Sequence, residues 1–312
     1  MHEAMADIRT YHHRDFSLAE LCRKKHAQGE TISVVIPTWN EEQTIGAIVQ
    51  IIRRELMDAC SLVDELIVVD SGSRDETRTV AAAAGAQVFL AEDIRPDLGH
   101  QRGKGENLWK SQAVTSGSIS VFVDGDILNF HAGYILGLIG PLIEEASLQY
   151  VKGFYQRPLC TQFGDLEQEG GRVSELLMKP FFSLFYPALR ALHQPLAGEY
   201  AVRRQLLEQL PFPIGYAVEV AHLMDVLALH GIEVFAQCDL DSRRHRNRPL
   251  HELSEMSCSL MQTLLLRAQR DGKLQLSQNA LPWWSDAFPI DSSFAQERQP
   301  WRELLRFPSL AP

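Results

Sequence analysis

The sequence is poor in cysteine, and its cysteines are not arranged in pairs. Five cysteines occur in 312 residues, an odd number, and no two of them form a C-x-x-C motif. A disulfide-stapled scaffold and a zinc ribbon are therefore excluded, and this usage is typical of a protein in a reducing compartment. Long apolar runs are also missing: residues 134–143 and 181–192 come closest, well short of the about 20 residues that span a membrane. Because the N-terminal residues are too polar for a signal peptide, we expect a cytoplasmic protein with no membrane partner.

Basic residues are in deficit as well. The chain has 30 Lys and Arg against 40 Asp and Glu, which gives a formal net charge of −10. Nucleic-acid backbones are bound by basic faces, so the charge argues against a nucleic-acid partner. No G-x-G-x-x-G follows the first predicted strand and no G-x-x-x-x-G-K-[ST] occurs, which argues against a dinucleotide oxidoreductase and a P-loop ATPase. What remains is a globular composition, with 45% hydrophobic residues and enough length to bury a core.

Strand and helix patterns alternate through the first half of the chain. The predicted strands are 32–36, 66–69, 87–90 and 119–123, and the predicted helices are 41–56, 73–84 and 105–116. Asn40 is predicted to cap the first helix, and Ser73 with Glu76 to form a capping box for the second. This alternation implies βαβ units and a Rossmann-like, mainly parallel sheet flanked by helices, which is an α/β fold.

After about residue 140 the alternation weakens, and a mixed α+β half is expected. The predicted elements there are strands at 149–155 and 234–238 and helices at 173–192, 218–230 and 251–270. The polar N-terminus holds one short predicted helix at 18–25, and the C-terminal residues show no clear period. One compact unit fits this pattern, with four segments: an N-terminal extension (1–30), a first half (31–140), a second half (141–270) and a C-terminal tail (271–312).

Polar residues follow three of the predicted strands directly, at 37–41, 70–73 and 124–126. In an open parallel sheet, ligands bind outside the carboxyl ends of the strands. Each segment alone is also ordinary turn chemistry. Together they indicate a binding cleft at one edge of the sheet.

Asp124-Gly125-Asp126 is the most specific of these segments. Two carboxylates at i and i+2 after a buried strand can face one hard cation, and magnesium held in this way bridges a diphosphate. The alternative is a short acidic turn. Because the motif follows two βα units, it indicates a nucleotide-sugar site.

Further along, several polar residues allow both a functional and a structural interpretation. Lys104, in a glycine-flanked turn, is either a phosphate ligand or a solvated side chain. Arg172 and Ser174 form either an anion site at a helix N-terminus or a turn with an N-cap. Glu219, at the start of an apolar helix, either stabilises the helix dipole or points into the cleft.

Four arginines lie within residues 243–248 of this acidic chain. Such a run is either a solvated basic patch or a site for an anionic small molecule. His245, in the same run, is either a structural histidine or a metal ligand that completes the site of Asp124 and Asp126.

Taken in order, eight segments of the sequence resemble one family. They are VVIPTWNEEQTI, VVDSGSRDET, GKGENLW, VFVDGDI, GGRVSEL, QPLAGEYA, GYAVEV and RRHRNRPL. Through them the chain is identified as a member of the glucosyl-3-phosphoglycerate synthases, which are retaining glycosyltransferases of the GT-A fold. The resemblance covers residues 31–270, and GGRVSEL, QPLAGEYA and RRHRNRPL are its most specific parts.

The resemblance implies an activity and its partners. Glucose is transferred from a nucleoside diphosphate, usually UDP-glucose, to the 2-hydroxyl of 3-phosphoglycerate, with retention of configuration. The implied cofactor is Mg²⁺, with Mn²⁺ as a substitute, and the implied assembly is a homodimer. The donor would bind the half at 31–140 and the acceptor the half at 141–270, and the product would serve glucosylglycerate biosynthesis, which makes a compatible solute.

Matched motif by motif, the resemblance also implies site residues. The donor-binding residues are Pro37, Glu41, Ser71, Lys104, Asp124, Gly125 and Arg248. The acceptor-binding residues are Gly171, Arg172, Ser174 and Asn247. The metal ligands are Asp126 and His245, with Asp124 as a further candidate. Glu219, the Leu196 backbone and Lys104 lie at the reacting centre.

The chain departs from the family pattern at three positions. Gly125 stands where Ser is frequent, Ala197 where Gly is common, and Arg244 where a small residue often precedes the histidine. Because Gly125 lacks a hydroxyl that would touch the donor phosphate, the donor base stays open among UDP, GDP and ADP sugars.

Other acceptors and another class of function also stay open. Free glycerate and a lipid phosphate are alternative acceptors, and a nucleotide-sugar binding protein without turnover is the alternative of a different class. The sequence shows no distinct pair of carboxylates placed as nucleophile and acid/base. We therefore expect same-face attack, in which the leaving phosphate oxygen takes the acceptor proton.

Overall fold

The computed structural model describes residues 8–157, 159–161, 164–166, 171–244, 250–276 and 296–306. Within these residues the strands are β1 (Arg9–His12), β2 (Ile32–Thr38), β3 (Glu65–Asp70), β4 (Gln87–Leu90), β5 (Ile119–Phe122), β6 (Tyr150–Gln156), β7 (Leu159–Thr161), β8 (Gly164–Leu166), β9 (Tyr200–Arg203), β10 (Phe212–Pro213), β11 (Phe235–Ser242) and β12 (Glu297–Arg298).

The α-helices of the described residues lie on both sides of these strands. They are α1 (Leu18–Gln28), α2 (Ile45–Ile51), α3 (Thr77–Ala84), α4 (Lys104–Ser111), α5 (Gly133–Glu144), α6 (Lys179–Phe185), α7 (Arg204–Leu207), α8 (Val218–His230), α9 (Leu250–Arg270) and α10 (Trp301–Arg306). Two π-helical segments adjoin α2 and α6, at Ile52–Asp58 and Ser174–Met178. Short 3₁₀ turns occur at His13–Asp15, Ala91–Asp93, Pro96–Leu98, Pro187–Ala191 and Ile232–Val234.

Eight of the described strands form one mixed sheet, in the order β1-β11-β6-β9-β5-β2-β3-β4. β9 runs antiparallel to β5 and β6, and the other neighbours in the sheet are parallel. β7 pairs with β8, and β10 with β12, in two small antiparallel sheets. The predicted α/β fold, with a parallel first half and a mixed second half, is therefore confirmed.

The central strands are apolar on both faces because helices cover both faces. Along β2 the side chains alternate between two cores: Val34 and Ile36 pack on the side of α2 and α5, and Val35 packs on the side of α4 and α8. Both cores are continuous sets of buried residues. This packing leaves the carboxyl ends of the strands as the place where polar residues collect.

The two helix-capping predictions in the first half are wrong. α2 begins at Ile45 and α3 at Thr77, several residues after the expected caps. Asn40 has a positive φ of 59°. Its amide nitrogen donates to Ser73 Oγ (2.8 Å), and its Oδ1 accepts from the Arg74 amide (2.9 Å). The capping side chains instead tie the loops after β2 and β3 to each other, which fixes one wall of the site.

The N-terminal segment, expected as a polar extension, contributes an edge strand. β1 pairs in parallel with β11, with Arg9 opposite Ala236 and His12 opposite Asp239. The predicted helix at 18–25 is present as α1 and ends at Gly29, which has a φ of 69°. A strand of four residues has too little periodicity to be recognised in a polar sequence.

Residues 296–306, called the C-terminal strap below, pack against α4. Arg298 donates to both carboxylate oxygens of the buried Glu106 (2.7 and 2.8 Å), and its guanidinium lies 4.8 Å from the ring centre of Trp109. Trp109 Nε1 donates to the Gln299 carbonyl (2.9 Å). The strap thus completes the environment of the helix that begins at Lys104.

The cysteines differ from the expectation of a fully reduced protein. Cys22 on α1 and Cys60 form a disulfide, with their Cα atoms 6.4 Å apart, a separation that a disulfide can span. Cys238 and Cys258 are free thiols. In the part of the chain that the structure describes, no helix has both the length and the apolar character to cross a membrane.

Candidate active site

A cavity of about 660 Å³ opens at the carboxyl ends of β2, β3 and β5. Twelve of the predicted site residues line it: Pro37, Glu41, Ser71, Lys104, Asp124, Gly125, Asp126, Gly171, Arg172, Ser174, Leu196 and Glu219. The other three, His245, Asn247 and Arg248, lie outside the described residues. Residues up to 182 positions apart in sequence, Pro37 and Glu219, therefore meet around one space, as the strand-end argument predicted.

The loop after β3 is shaped by a buried carboxylate. Asp70 accepts from the amides of Gly72 (3.0 Å) and Ser73 (2.7 Å) and from the Thr38 hydroxyl (2.9 Å). Asn107 Nδ2, on α4, donates to Ser71 Oγ (2.7 Å). Asp70 is therefore a turn-forming residue, whereas Ser71 is presented to the cavity.

Lys104 is paired with two carboxylates. Its Nζ contacts Asp124 and lies 2.6 Å from Glu219 Oε1. Burial lowers the pKa of Lys104, but the charges of Asp124 and Glu219 outweigh burial and hold that pKa above its usual range. Of the two interpretations of each residue, the structure supports a cavity-facing Lys104 and a Glu219 that points into the cleft.

Two amides in the first turn of α4 are already bound to backbone carbonyls. Gly105 N donates to the Gly215 carbonyl (3.3 Å) and Glu106 N to the Ile214 carbonyl (3.1 Å). A Cβ on Gly105 would lie 1.7 Å from the Pro213 carbonyl oxygen, so this close approach requires glycine. In this turn the Lys104 side chain is therefore the group that meets the acidic residues of the cavity.

Arg243 is the main residue that the sequence interpretation missed. It is only 2% exposed and forms ion pairs with three carboxylates: Asp124 (3.0 Å), Asp126 (2.5 Å) and Glu199 (2.9 Å). Burial raises the pKa of Asp124, but Lys104 and Arg243 hold it well below its ordinary value. The run of arginines at 243–248 is therefore not a uniform solvated patch, because its first arginine, Arg243, is buried and holds Asp124 and Asp126.

Glu199 was quoted within a motif but given no role. It is wholly buried and accepts from the Tyr155 hydroxyl (2.6 Å) as well as from Arg243. Its neighbour Gly198 lies against Asp124, and a Cβ there would be 2.3 Å from Asp124 Oδ2. The only signal in the sequence for the burial of Glu199 was its place directly before the apolar residues of β9.

The acidic residues fit a divalent cation. Four carboxylates (Asp124, Asp126, Glu199 and Glu219) are ion-paired with two cations (Lys104 and Arg243), a formal excess of two negative charges. Carboxylate oxygens are the preferred ligands of Mg²⁺ and also suit Mn²⁺. Asp126 would hold the ion, with Asp124 as a further candidate, and the other predicted ligand, His245, lies outside the described residues.

The cavity is also lined by arginines, two of them from the segments around residues 157 and 172. Gly171 has a φ of +76°, and Arg172 and Ser174 line the cavity with Arg157, which the sequence interpretation missed. Ser174 is buried and does not cap the helix, because the helical turn begins before it. An anion site at this wall thus depends on arginine side chains rather than on a Ser174 cap.

Comparison with known proteins follows the same lines as the geometry. A family described as "Glycosyl transferase family 2" matches residues 33–209. A protein named glucosyl-3-phosphoglycerate synthase from Petrotoga mobilis is 47% identical over 270 residues, which cover 86% of this chain and 83% of that protein. A protein of the same name from Mycobacterium tuberculosis is 45% identical over 261 residues, covering 83% of this chain and 79% of its own length.

Solved structures agree with the sequence comparisons. The M. tuberculosis glucosyl-3-phosphoglycerate synthase in complex with Mn²⁺, UDP and phosphoglyceric acid superimposes with a TM-score of 0.81 at 38% identity, over 96% of this chain and 100% of that one. A structure of the same enzyme with Mg²⁺ and UDP also has a TM-score of 0.81, over 95% and 99% of the two chains. The chain therefore belongs to glycosyl transferase family 2 and, within it, to the glucosyl-3-phosphoglycerate synthases, a family of hexosyltransferases.

Proposed function

We propose that the protein transfers glucose from UDP-glucose to the 2-hydroxyl of 3-phosphoglycerate, with retention of configuration and with Mg²⁺ or Mn²⁺ as cofactor. One observation carries the proposal. One cavity is lined both by acidic residues, suited to a cation and a diphosphate, and by Arg157 and Arg172, suited to an anionic acceptor. Solved relatives that contain Mn²⁺, UDP-glucose and phosphoglyceric acid support the same pair of substrates.

The residues divide into a donor group and an acceptor group. Pro37, Glu41, Ser71 and Gly125 contact the nucleotide sugar, and Arg248 reaches its diphosphate. Asp126 and His245 hold the metal ion, with Asp124 beside them. Gly171, Arg172, Ser174 and Asn247 bind 3-phosphoglycerate.

The roles of the groups at the reacting centre follow from the ion pairs of Lys104 with Asp124 and Glu219. A cation held by Asp126 and His245 would offset the negative charge that develops on the departing diphosphate. Asp124 and Glu219 are both bound to Lys104, so Lys104 fixes their orientation. The acceptor hydroxyl attacks from the face that the diphosphate leaves, and a leaving phosphate oxygen takes the hydroxyl proton. Glu219 and the Leu196 backbone position the sugar and the hydroxyl for this step.

The proposal includes a homodimer. Leu176 and Leu184 lie on the consecutive helical segments Ser174–Met178 and Lys179–Phe185, and they are 81% and 76% exposed. We place the contact with the second subunit at these two leucines. Light scattering during size-exclusion chromatography tests the assembly, and a monomer at micromolar concentration would contradict it.

The cytoplasmic location expected from the N-terminus stays a prediction.

The proposed product carries a phosphate, and its removal gives glucosylglycerate. We therefore place the enzyme in glucosylglycerate biosynthesis, with a compatible solute as the end product.

A screen of donors against acceptors tests the reaction. UDP-, GDP- and ADP-glucose are each combined with 3-phosphoglycerate, glycerate or a lipid phosphate in the presence of Mg²⁺, and products are identified by mass spectrometry. The expected result is one dominant product, from UDP-glucose and 3-phosphoglycerate, with an α-anomeric proton in its NMR spectrum. Equal turnover of free glycerate would remove the phosphate from the acceptor assignment, and a β-anomer would contradict retention.

A further inference from the structure

A buried lysine lies directly beneath the cavity, in the middle of the main sheet. Lys152 is on β6, where it stands opposite Gln237 of β11 and Tyr200 of β9. Its side chain is 1% exposed. Nothing in the proposed division of donor, acceptor and metal residues uses it.

The ammonium group of Lys152 holds a backbone carbonyl. Its Nζ donates to the Ala197 carbonyl oxygen at 2.5 Å and lies 5.0 Å from the centre of the Tyr200 ring. Ala197 directly follows Leu196, which lines the cavity. The bond therefore runs from the sheet to the loop that carries the reacting centre.

Residues 197–199, which follow Leu196, are held at each position by contacts from different elements. The Ala197 amide donates to the Gln194 carbonyl (3.1 Å), Gly198 packs against Asp124, and the Glu199 side chain is held by Arg243. From below, the Gly153 amide donates to the Glu199 carbonyl (2.9 Å). Lys152 is the side chain that completes this set from the sheet.

The surroundings of Lys152 are unfavourable for a charge, so its presence needs a reason. The Tyr150 and Tyr200 hydroxyls beside it have no hydrogen-bond partner among the described residues, and their rings stack 5.2 Å apart. Burial lowers the pKa of Lys152 to about 8, while the charge of Glu219 opposes that effect. A charge buried in this way is disfavoured unless it is hydrogen-bonded.

We propose that Lys152 is a positioning residue of the transfer reaction: it holds the Ala197 carbonyl from below, and so sets the Leu196 backbone and the electrostatic environment of Glu219. This inference rests on the proposed function, because Leu196 and Glu219 matter through that reaction. Lys152 does not touch the substrates, so its effect falls on turnover rather than on binding.

Lys110 provides a matched control. It is also buried, and its Nζ also donates to a backbone carbonyl, that of Ala91, at 2.9 Å. Burial lowers its pKa as well. Lys110 does not contact residues 196–199 in the described structure, so it reports what the loss of a buried lysine does to stability alone.

The test compares Lys152→Met with Lys110→Met in steady-state kinetics on UDP-glucose and 3-phosphoglycerate, with thermal unfolding measured alongside. We expect Lys152→Met to lower kcat by about 10- to 100-fold, with both KM values within about 2-fold, because small misplacements at a reacting centre have effects of this size. Lys110→Met should keep kcat near the wild-type value. A folded Lys152→Met variant with wild-type kcat, or equal losses in both variants, would overturn the proposal.

A second variant covers the case in which Lys152→Met does not fold. The charged groups that act on Lys152 are Glu219 on α8, Lys104 on α4, Asp124 and Glu199. Lys152 in turn lowers the pKa of His222 on α8, and the Tyr200 ring, stacked on Tyr150, lies beside its Nζ. The wild-type kcat should fall as the pH rises through about 8, when Nζ loses its proton. Lys152→Arg stays charged, so this fall should disappear, and an unchanged alkaline limb would overturn the proposal.

Failure of this inference is distinguishable from failure of the proposed function. Wild-type enzyme that does not use these substrates overturns the proposed function and, with it, the role of Lys152. Active wild-type enzyme with an unaffected Lys152→Met variant overturns the role of Lys152 alone.

Discussion

Two ion-pair clusters of opposite charge pattern lie side by side where β11 ends. In the exposed cluster one acid meets three bases: Asp241 with His12, His13 and Arg14. In the buried cluster one base meets three acids: Arg243 with Asp124, Asp126 and Glu199. The Asp241 side chain is 33% exposed and the Arg243 side chain 2%. The two clusters thus separate the effect of burial from the effect of charge geometry.

Burial decides what each cluster does. Water screens the exposed cluster, whose pairs contribute about 0–1 kcal/mol each and attach the N-terminal strand to the sheet. In the buried cluster, removal of one partner leaves charges without compensation, which costs about 3–5 kcal/mol. Because the acids of the buried cluster belong to the candidate metal site, the strong contacts organise function and the weak ones only attach a strand.

The largest expected effect comes from breaking the buried cluster. Arg243→Met leaves Asp124, Asp126 and Glu199 without their shared guanidinium, so the free energy of unfolding should fall by about 3–5 kcal/mol. Urea unfolding at pH 7 measures this loss. Arg244→Ala is the control: it changes the exposed neighbour and should stay within about 0.5 kcal/mol of wild type. Equal losses at the two positions would show that burial does not separate them.

The next prediction concerns metal binding by Asp126, one of the three acids of the buried cluster. Asp126→Asn keeps an oxygen for Arg243 but removes a charged ligand, so the affinity for Mn²⁺ in the presence of UDP should fall at least 10-fold, since even outer-shell partners are worth about 10- to 100-fold. Isothermal titration calorimetry measures it, and His245→Ala should act in the same direction. Activity that survives exhaustive chelation would contradict metal dependence altogether.

An arginine of the cavity wall gives the intermediate case. Arg172→Ala removes a charged hydrogen bond to the proposed acceptor, so 3-phosphoglycerate binding should weaken by about 1.5–3 kcal/mol, while UDP-glucose binding changes little. Separate titrations of the two substrates test this. The reverse pattern, weaker donor and unchanged acceptor, would assign this wall to the nucleotide sugar.

The smallest effect is expected in the exposed cluster. Burial raises the pKa of the Asp241 carboxyl, but the hydrogen bonds from His13 and Arg14 outweigh burial and lower that pKa to about 2. The unfolded chain takes up this proton near pH 4, so the contribution is complete above pH 4 and is lost as the pH falls through 2. Asp241→Asn, which tolerates the φ of 69° at this position, should lower stability by about 1 kcal/mol or less.

Urea unfolding from pH 5 down to pH 3 measures this linkage. The difference between wild type and Asp241→Asn should shrink as the pH falls. A constant difference over this range would mean that the carboxylate charge does not contribute.

The comparison of neighbouring arginines also shows where sequence interpretation stops. Arg243 and Arg244 are identical in type and adjacent in sequence, yet one is buried and the other exposed. The difference in burial arises from the pairing of β11 with β6, which places the Arg243 side chain, and not that of Arg244, against Glu199. Local chemistry cannot contain that information, because it depends on residues more than 40 positions away.

The first half of the chain was predictable for a physical reason. Parallel strands covered on both faces are continuous apolar runs, so β2, β3 and β5 and the polar residues after them were visible in the sequence. β9 is antiparallel to both of its neighbours and so lies outside the βαβ alternation that identified the first half, and β12 has only two residues. Asn40 and Ser73 carried a genuine polar signal, but their partners were in a neighbouring loop rather than in a helix.

The C-terminal strap sets an order of completion during synthesis. A ribosome makes Glu106 192 residues before Arg298, the residue that neutralises it in the finished protein. A nascent chain that has not yet reached residue 296 already contains every strand of the main sheet, but its α4 still holds a carboxylate without its guanidinium. The helix that begins at Lys104 is therefore encoded early, and its contacts with the strap form only after residues 296–306 have left the ribosome.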